Sequence, residues 1–337
     1  MPDLIPVNPE KFQFRNLHPK IFIGTASDRY AGWIGQIYTP GRYENRLTRR
    51  LHKVGDQSFV EEVLPVESVE EYFEHFSVLE IDYTFYQPLL DKDGRPTESY
   101  QILRQYQNYL RRGDRLILKV PQIISARKIR KKGQYLLNEG FLNPEVFINQ
   151  FYKPATELVG CFLSGFIFEQ EYQRQEERFP VERMALALAD FFKAIPSETR
   201  YHIELRTESY LSKPVFEVLE RYGVGQVLSH WTWLPSLKKQ WAKSGKRFFN
   251  QEAIIRLMTP LGIKYEEAYA QAFPFNKLVE GMLPPEMVKE TAELMRQGVN
   301  EGVNIYVIIN NRSGGNAPLI AKEIARRFLS LLPSIPG

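Results

Sequence analysis

The chain has 337 residues, 43% hydrophobic and 25% charged, with a net charge of +4. That is ordinary globular composition, long enough for two average domains or one large α/β barrel. No apolar run approaches the ~20 residues of a membrane helix, and a single cysteine, Cys161, excludes an internal disulfide or a multi-cysteine metal cluster.

Cys161 is expected to be a small buried apolar residue. The segment from Met1 to Phe14 carries three prolines and no apolar core of a secretory signal. A cytoplasmic location is the resulting expectation, with no membrane contact and no disulfide-linked partner. Residues 1–20 read as an extended arm. From there on, eight short apolar runs set a regular beat, at 21–24, 78–82, 116–120, 165–169, 201–205, 226–229, 253–257 and 304–309.

Helical patterns fill most of the gaps. Ser68 and Glu71 have capping-box spacing, ahead of Tyr72, Phe73 and Phe76, and predict a helix over 68–77. Thr97 caps a second helix, and Asn143-Pro144 opens a third, because proline at the first helical position loses no needed donor. Helices follow over 181–195 and 212–222, where Gly223 suits a left-handed end. Two more are expected at about 265–272 and 284–299, and a last over 318–332. Residues 41–64, rich in Arg and Glu, form an insertion after the first strand and are expected to fold partly as a helix. Strands alternating with helices in this way predict one (β/α)8 TIM-like barrel over 21–332, with an arm before it and a tail at 333–337.

Barrels of this type place function at the C-terminal ends of their strands. Side chains alternate along a strand, so polar residues on the inward parity there converge on one cavity. The candidates are Asp82, Lys119, Glu169, Gln170, Glu204, Arg206, His230, Arg256, Asn310 and Asn311. Glu204 and Lys119 suit acid–base work once burial and mutual charge shift them, with Asp82 and Glu169 orienting the substrate. The alternative is an ion-pair stack plugging the barrel, which Glu204 and Arg206 fit well. Of five histidines only His230 falls at a strand's C-terminal end, so a multi-histidine metal site is not expected; a carboxylate-held Mg²⁺ through Asp82, Glu169 or Glu204 stays open. Glu169 and Glu204 end strands 4 and 5, whereas common barrel glycosidases pair strands 4 and 7, and here strand 7 ends Arg256-Leu257-Met258.

After the eighth strand comes Asn310-Asn311-Arg312-Ser313-Gly314-Gly315-Asn316-Ala317-Pro318. Glycines permit a close turn, and the following helix N-terminus favours anions. Gly314, Gly315, Arg312 and Arg256 therefore suggest a phosphate or other anion site. Two basic clusters follow strands 3 and 6: Arg127, Lys128, Arg130, Lys131 and Lys132, then Lys238, Lys239, Lys243, Lys246 and Arg247, the latter among Trp231, Trp233 and Trp241. They outnumber the net charge, so the rest of the chain is net negative. Basic residues among flat aromatics suit nucleic acid, while a solvated loop anchored by tryptophans is the plainer reading.

These strand ends resemble the YecE-like proteins (domain of unknown function 72). The resemblance rests on Ile23-Gly24-Thr25-Ala26 with Tyr30 and Trp33, and on Leu79-Glu80-Ile81-Asp82-Tyr83-Thr84-Phe85-Tyr86 with Phe76. It continues through Leu118-Lys119-Val120-Pro121, Phe168-Glu169-Gln170, Ile203-Glu204-Leu205-Arg206, and Val307-Ile308-Ile309-Asn310-Asn311 with Gly315-Asn316-Ala317. It implies a barrel and a pocket shared through Thr25, Glu80, Thr84, Tyr86, Lys119, Gln170, Glu204, Arg206, Asn310 and Asn311. Asp28, Asp82, the Arg-Leu-Met-Thr end of strand 7 and the 41–64 insertion depart from the family pattern. The sequence therefore points to a cytoplasmic barrel enzyme, a hydrolase or lyase acting on a phosphorylated or otherwise anionic small molecule. The alternative is a module binding RNA or single-stranded DNA through the two basic loops.

Overall fold

The eight apolar runs become eight parallel strands of one closed barrel: β1 Ile21–Ala26, β2 Val78–Ile81, β3 Leu116–Lys119, β4 Leu163–Gln170, β5 Tyr201–Leu205, β6 Gly225–His230, β7 Glu252–Leu257 and β8 Asn304–Ile309. Each strand pairs with its sequence neighbours, and β8 closes on β1 with Ile21 opposite Ile305. The computed structural model describes residues 7–131 and 134–332, and the side chains of all of these except 130 and 131.

Strand parity builds the interior. Phe22, Val78, Ile117, Ile167, Val227, Ile254 and Tyr306 point inward and form an apolar plug. Two residues further along β2, β3, β4 and β7, the same parity gives Glu80, Lys119, Glu169 and Arg256, and β5 adds Glu204. A charged layer thus lies directly on an apolar one. The outward parity of each strand packs on the helices in one large core. At Gly24 a Cβ would sit 1.8 Å from the Val78 carbonyl oxygen, so only glycine lets β1 approach β2 here.

The α-helices of seven residues or more are α1 Val69–His75, α2 Glu98–Gln107, α3 Lys153–Val159, α4 Val181–Ala194, α5 Lys213–Tyr222, α6 Leu237–Lys243, α7 Tyr265–Ala272, α8 Pro285–Glu301 and α9 Ala317–Leu329; a short helix Pro144–Phe147 and a π-turn Ile148–Tyr152 run directly into α3. Several expected caps are present. Thr97 accepts from the Tyr100 amide at 3.4 Å, Asn143 accepts from Glu145 and Val146, and Gly223 is left-handed at φ 64°. The Ser68–Glu71 capping box does not form. Glu71 instead accepts from Thr39 and Arg42, tying the start of the insertion to α1. Cys161 is exposed rather than buried, because it lies in the turn between α3 and β4.

The insertion, expected to be partly helical, holds one 3₁₀ turn at Glu44–Arg46 and is otherwise mainly a β-hairpin. Thr48–Val54 pairs antiparallel with Gln57–Val63 across the two-residue turn Gly55-Asp56, where Gly55 has φ 59°. Its inner face carries Val54 and Phe59, which pack on α7; the Phe59 and Tyr269 rings stand 4.9 Å apart. The arm is ordered where described. A short 3₁₀ turn at Pro9–Lys11 leads to Phe14, buried against Phe76 at the N-terminal end of the barrel. Among the described residues no helix is long and apolar enough to cross a membrane.

Candidate active site

The charged layer is a closed ion-pair network. From β7, the Arg256 guanidinium crosses the barrel and forks onto Glu80 at 2.6 and 2.8 Å, and also reaches Glu169 at 3.1 Å and Glu204. Arg206 bonds Glu169 at 2.8 Å and Glu204 at 3.0 Å, and Lys119 Nζ lies 2.7 Å from Glu169. Ser229 donates to Glu204 at 2.7 Å. Three carboxylates face three cations, so the layer is balanced. Burial pushes Glu169 and Glu204 up, but the surrounding cations outweigh it and hold both below the usual carboxylate range. Glu80 goes the other way, pushed up by burial against the pull of Arg256.

Above this floor opens a cavity of about 680 Å³. Its walls come from the β1 and β2 ends (Arg29, Asp82), from β8 (Asn310, Arg312) and from the hairpin (Arg50, His52, Glu61). Aromatic rings line the rest. Phe85 lies under the Lys119 ammonium at 4.0 Å, Trp231 under the Arg206 guanidinium at 4.9 Å, and Tyr265 under Arg312 at 4.4 Å. Tyr86 stands 73% exposed at the mouth.

Asp82 differs from the other carboxyls here. It makes no ion pair or side-chain hydrogen bond among the described residues, and burial raises its carboxyl above the usual aspartate value against the pull of Lys119, Arg312 and Arg256. Two further arginines, Arg29 and Arg312, share the cavity with it; Arg312 acts on Asp82, whereas Arg29 acts on the neighbouring Asp28. Neither is in a salt bridge among the described residues, and the buried Nε of Arg312 has no hydrogen-bond partner.

Glu80, Asp82, Lys119, Glu169, Arg206, Arg256, Tyr86, Asn310 and Arg312 thus meet at one cavity. The other expected residues do not line it. Glu204, expected to do acid–base work, is part of the floor but does not line the cavity, and both its oxygens are engaged. Gln170 and His230 fall on the outward parity; Gln170 faces a pocket under α4, and His230 Nδ1 bonds the Thr259 carbonyl at 2.9 Å. Thr25 donates to the Ser27 carbonyl and accepts no cavity contact, because Tyr72 closes it off. Asn311 accepts from Trp33 and the Ala317 amide.

The glycine-rich turn is also occupied. The amides of Gly314 and Gly315 bond the Asn311 carbonyl, and Asn316 caps α9. A Cβ at Gly315 would meet the Lys277 carbonyl at 2.4 Å, so this glycine serves close packing rather than an open anion cradle. Arg312, not the loop backbone, faces the cavity. Glu169 and Glu204 turn their oxygens to cations, and no group of three or more His, Cys, Asp or Glu among the described residues is arranged for a metal ion.

The basic clusters separate. Arg127 donates to the Glu177 carbonyl and stacks on Phe179 at 3.8 Å, while Lys128 pairs with Glu177 at 2.8 Å. Lys128–Lys131 is one strand of a second hairpin, not a loop; Lys132 and the side chains of Arg130 and Lys131 lie outside the described residues. In the other cluster Lys238, Lys239 and Lys243 sit on α6. Lys238 pairs with Glu293, Lys243 with Glu208 at 3.3 Å, and Arg247 with Glu220. Lys246 and Arg247 precede β7, next to Asn250, which bonds the Thr199 and Gly223 carbonyls. That is the N-terminal end of the barrel, opposite the cavity. Trp241, partly buried, packs against the core, and Trp233, 46% exposed, lies beside Tyr172.

Sequence reasoning missed Arg29, the hairpin residues and the aromatic lining. The hairpin had one signal, the Gly55-Asp56 turn pair, without alternating runs on either side of it.

Asp28 supplies a pH test of the neighbouring wall. It is 1% exposed, accepts from Tyr106 at 2.7 Å and leaves Oδ2 without a partner. Burial pushes its carboxyl up to about 6 from 3.8. A raised folded-state pKa gives stability that is full below 3.8 and is lost as pH rises through 6. Asp28→Asn removes that loss, so its stability relative to wild type should climb by about 2 kcal/mol between pH 4 and pH 7. Chemical denaturation at the two pH values checks this; a flat difference contradicts it.

A closed parallel barrel with an ion-paired floor beneath a ligand-sized cavity defines the class: a (β/α)8 protein with its site at the C-terminal strand ends. The chain belongs to the family described as "Protein of unknown function DUF72", whose profile matches residues 22–333. It is similar to two solved structures of that family. One, from Thermotoga maritima, has 13% identity and a TM-score of 0.57, covering 92% of this chain and 99% of that one. The other, from Enterococcus faecalis, has 14% identity and a TM-score of 0.56, covering 93% and 97%. At these identities the likeness concerns the fold. No curated protein matches the sequence.

Proposed function

We propose that the protein is an enzyme that cleaves an anionic small molecule, a phosphorylated or carboxylated compound, at the C-terminal face of the barrel. One observation carries this reading: Arg29 and Arg312, cations free of salt bridges among the described residues, line the same cavity as Asp82, a carboxyl in no ion pair among the described residues. Two such arginines suit the oxygens of a phosphate or carboxylate. A carboxyl held above its usual value suits proton donation to a leaving group. The paired floor of Glu80, Glu169, Glu204, Lys119, Arg206 and Arg256 then acts as a rigid, preorganised electrostatic base. Hydrolysis and elimination both use such a donor.

A thermal-shift screen of phosphorylated and carboxylated metabolites tests the reading. Compounds that stabilise the wild type should lose at least 10-fold in affinity with Arg312→Met, while the variant without ligand keeps its melting temperature. Arg312 makes no ion pair among the described residues, so its removal costs little stability. If no anion stabilises the protein, or if Arg312→Met binds equally well, the reading is wrong.

A further inference from the structure

The hairpin brings a second acid–base group to the cavity. His52 and Glu61 sit on facing strands, and both line the cavity together with Tyr269 of α7. His52 Nδ1 lies 3.0 Å from Glu61 Oε1 and 3.2 Å from the Tyr269 hydroxyl. The Tyr269 hydroxyl donates to the same Glu61 oxygen. Its proton is therefore spent, and both neighbours of His52 Nδ1 are acceptors. In the neutral ring Nδ1 must then carry the proton, which leaves a lone pair on Nε2. Nε2 has no partner among the described residues, and the side chain is 39% exposed. The Tyr269 ring stands edge-on to the imidazole at 5.1 Å and fixes its plane. Phe59, opposite His52 in the hairpin, packs on Tyr269 and Phe273 and holds the strand in place.

We infer that His52, oriented by Glu61, is the general base of this site, and that the reaction is hydrolysis. The inference rests on the anionic-substrate reading above and deepens it. His52 Nε2 takes one proton from a water molecule, and the water oxygen bonds to the scissile centre. The bond to the leaving group breaks with its electron pair on that group, which receives the proton of the Asp82 carboxyl. The proton on His52 then passes through solvent to Asp82, and both residues return to their starting forms. A histidine held by a carboxylate on one nitrogen and free on the other follows the logic of the catalytic triads. The supporting strand comes from the insertion, so the base is supplied by the part of the chain that departs from the family pattern.

The test reads the imidazole directly and needs no known substrate. Long-range ¹⁵N NMR of the full chain, with His52→Gln to assign the signal, should show neutral His52 protonated at Nδ1. Diethyl pyrocarbonate, which acylates free imidazole nitrogens, should modify His52 at least 10-fold faster in the wild type than in Glu61→Gln. Inorganic phosphate should slow that modification. A His52 protonated at Nε2, or an acylation rate unchanged by Glu61→Gln, overturns the inference. Absence of phosphate protection with the Nδ1 proton and the rate difference intact supports the dyad and counts against the anion reading instead.

Discussion

Arg256→Met is expected to lower the unfolding free energy by about 3–5 kcal/mol at pH 7. The side chain is fully buried and contacts Glu80, Glu169 and Glu204 at once. Removing it leaves Glu80 with no cation in direct contact and strips one partner from each of the other two. Lys119 and Arg206 remain on Glu169 and Glu204, and so the loss should fall short of complete unfolding. The pH dependence has a definite sign. In the wild type, Glu169 and Glu204 lie below their usual value of 4.5, so their contribution is full above it and is lost as pH falls. The gap between wild type and variant should therefore narrow in acid. Pairing Arg256→Met with Glu80→Leu should recover part of the loss, because a buried ion pair and an apolar pair of similar volume are often close in stability. Urea denaturation checks all three points; a loss under 1 kcal/mol for Arg256→Met contradicts the network.

Asp82→Asn is expected to do the opposite. Turnover of a substrate found by the anion screen should fall about 10²- to 10⁴-fold, the usual range for losing a general acid. Stability at pH 7 should hold or rise, since an aspartate whose folded-state pKa is raised costs stability once pH passes its unfolded value. Lower activity with equal or higher stability separates a reacting group from a structural one. If Asp82→Asn unfolds the protein, or leaves kcat unchanged, Asp82 is not the proton donor.

The barrel was legible because a parallel sheet covered on both faces needs nearly continuous apolar strands. All eight runs are such strands, and each gap is long enough for a crossover. The hairpin was not, because its apolar residues divide. Val54 and Phe59 face α7, while Leu51 and Val60 face solvent at 75% and 55% exposure, which hides any amphipathic period. Parity alone separates Gln170 and His230 from the cavity, since Glu169 and Ser229 take the inward positions on their strands. What sequence does not hold is which charges satisfy one another. Asp82 and Glu204 both end strands and look equivalent, yet Glu204 is saturated by two arginines and a serine, and Asp82 is in no ion pair among the described residues. The same holds for the basic residues: Lys238, Lys243 and Arg247 form a run of positive charge along the chain, and glutamates from α8, from the turn before α5 and from α5 itself neutralise them in space.

A crystal structure of the protein with the anion that stabilises it most is the most direct test of this account. The account predicts the anion against Arg29 and Arg312, beside Asp82 and above an undisturbed Arg256 network. An anion held instead by Arg127 and Lys128, or on α6, with the cavity empty, would contradict it and favour the nucleic-acid reading.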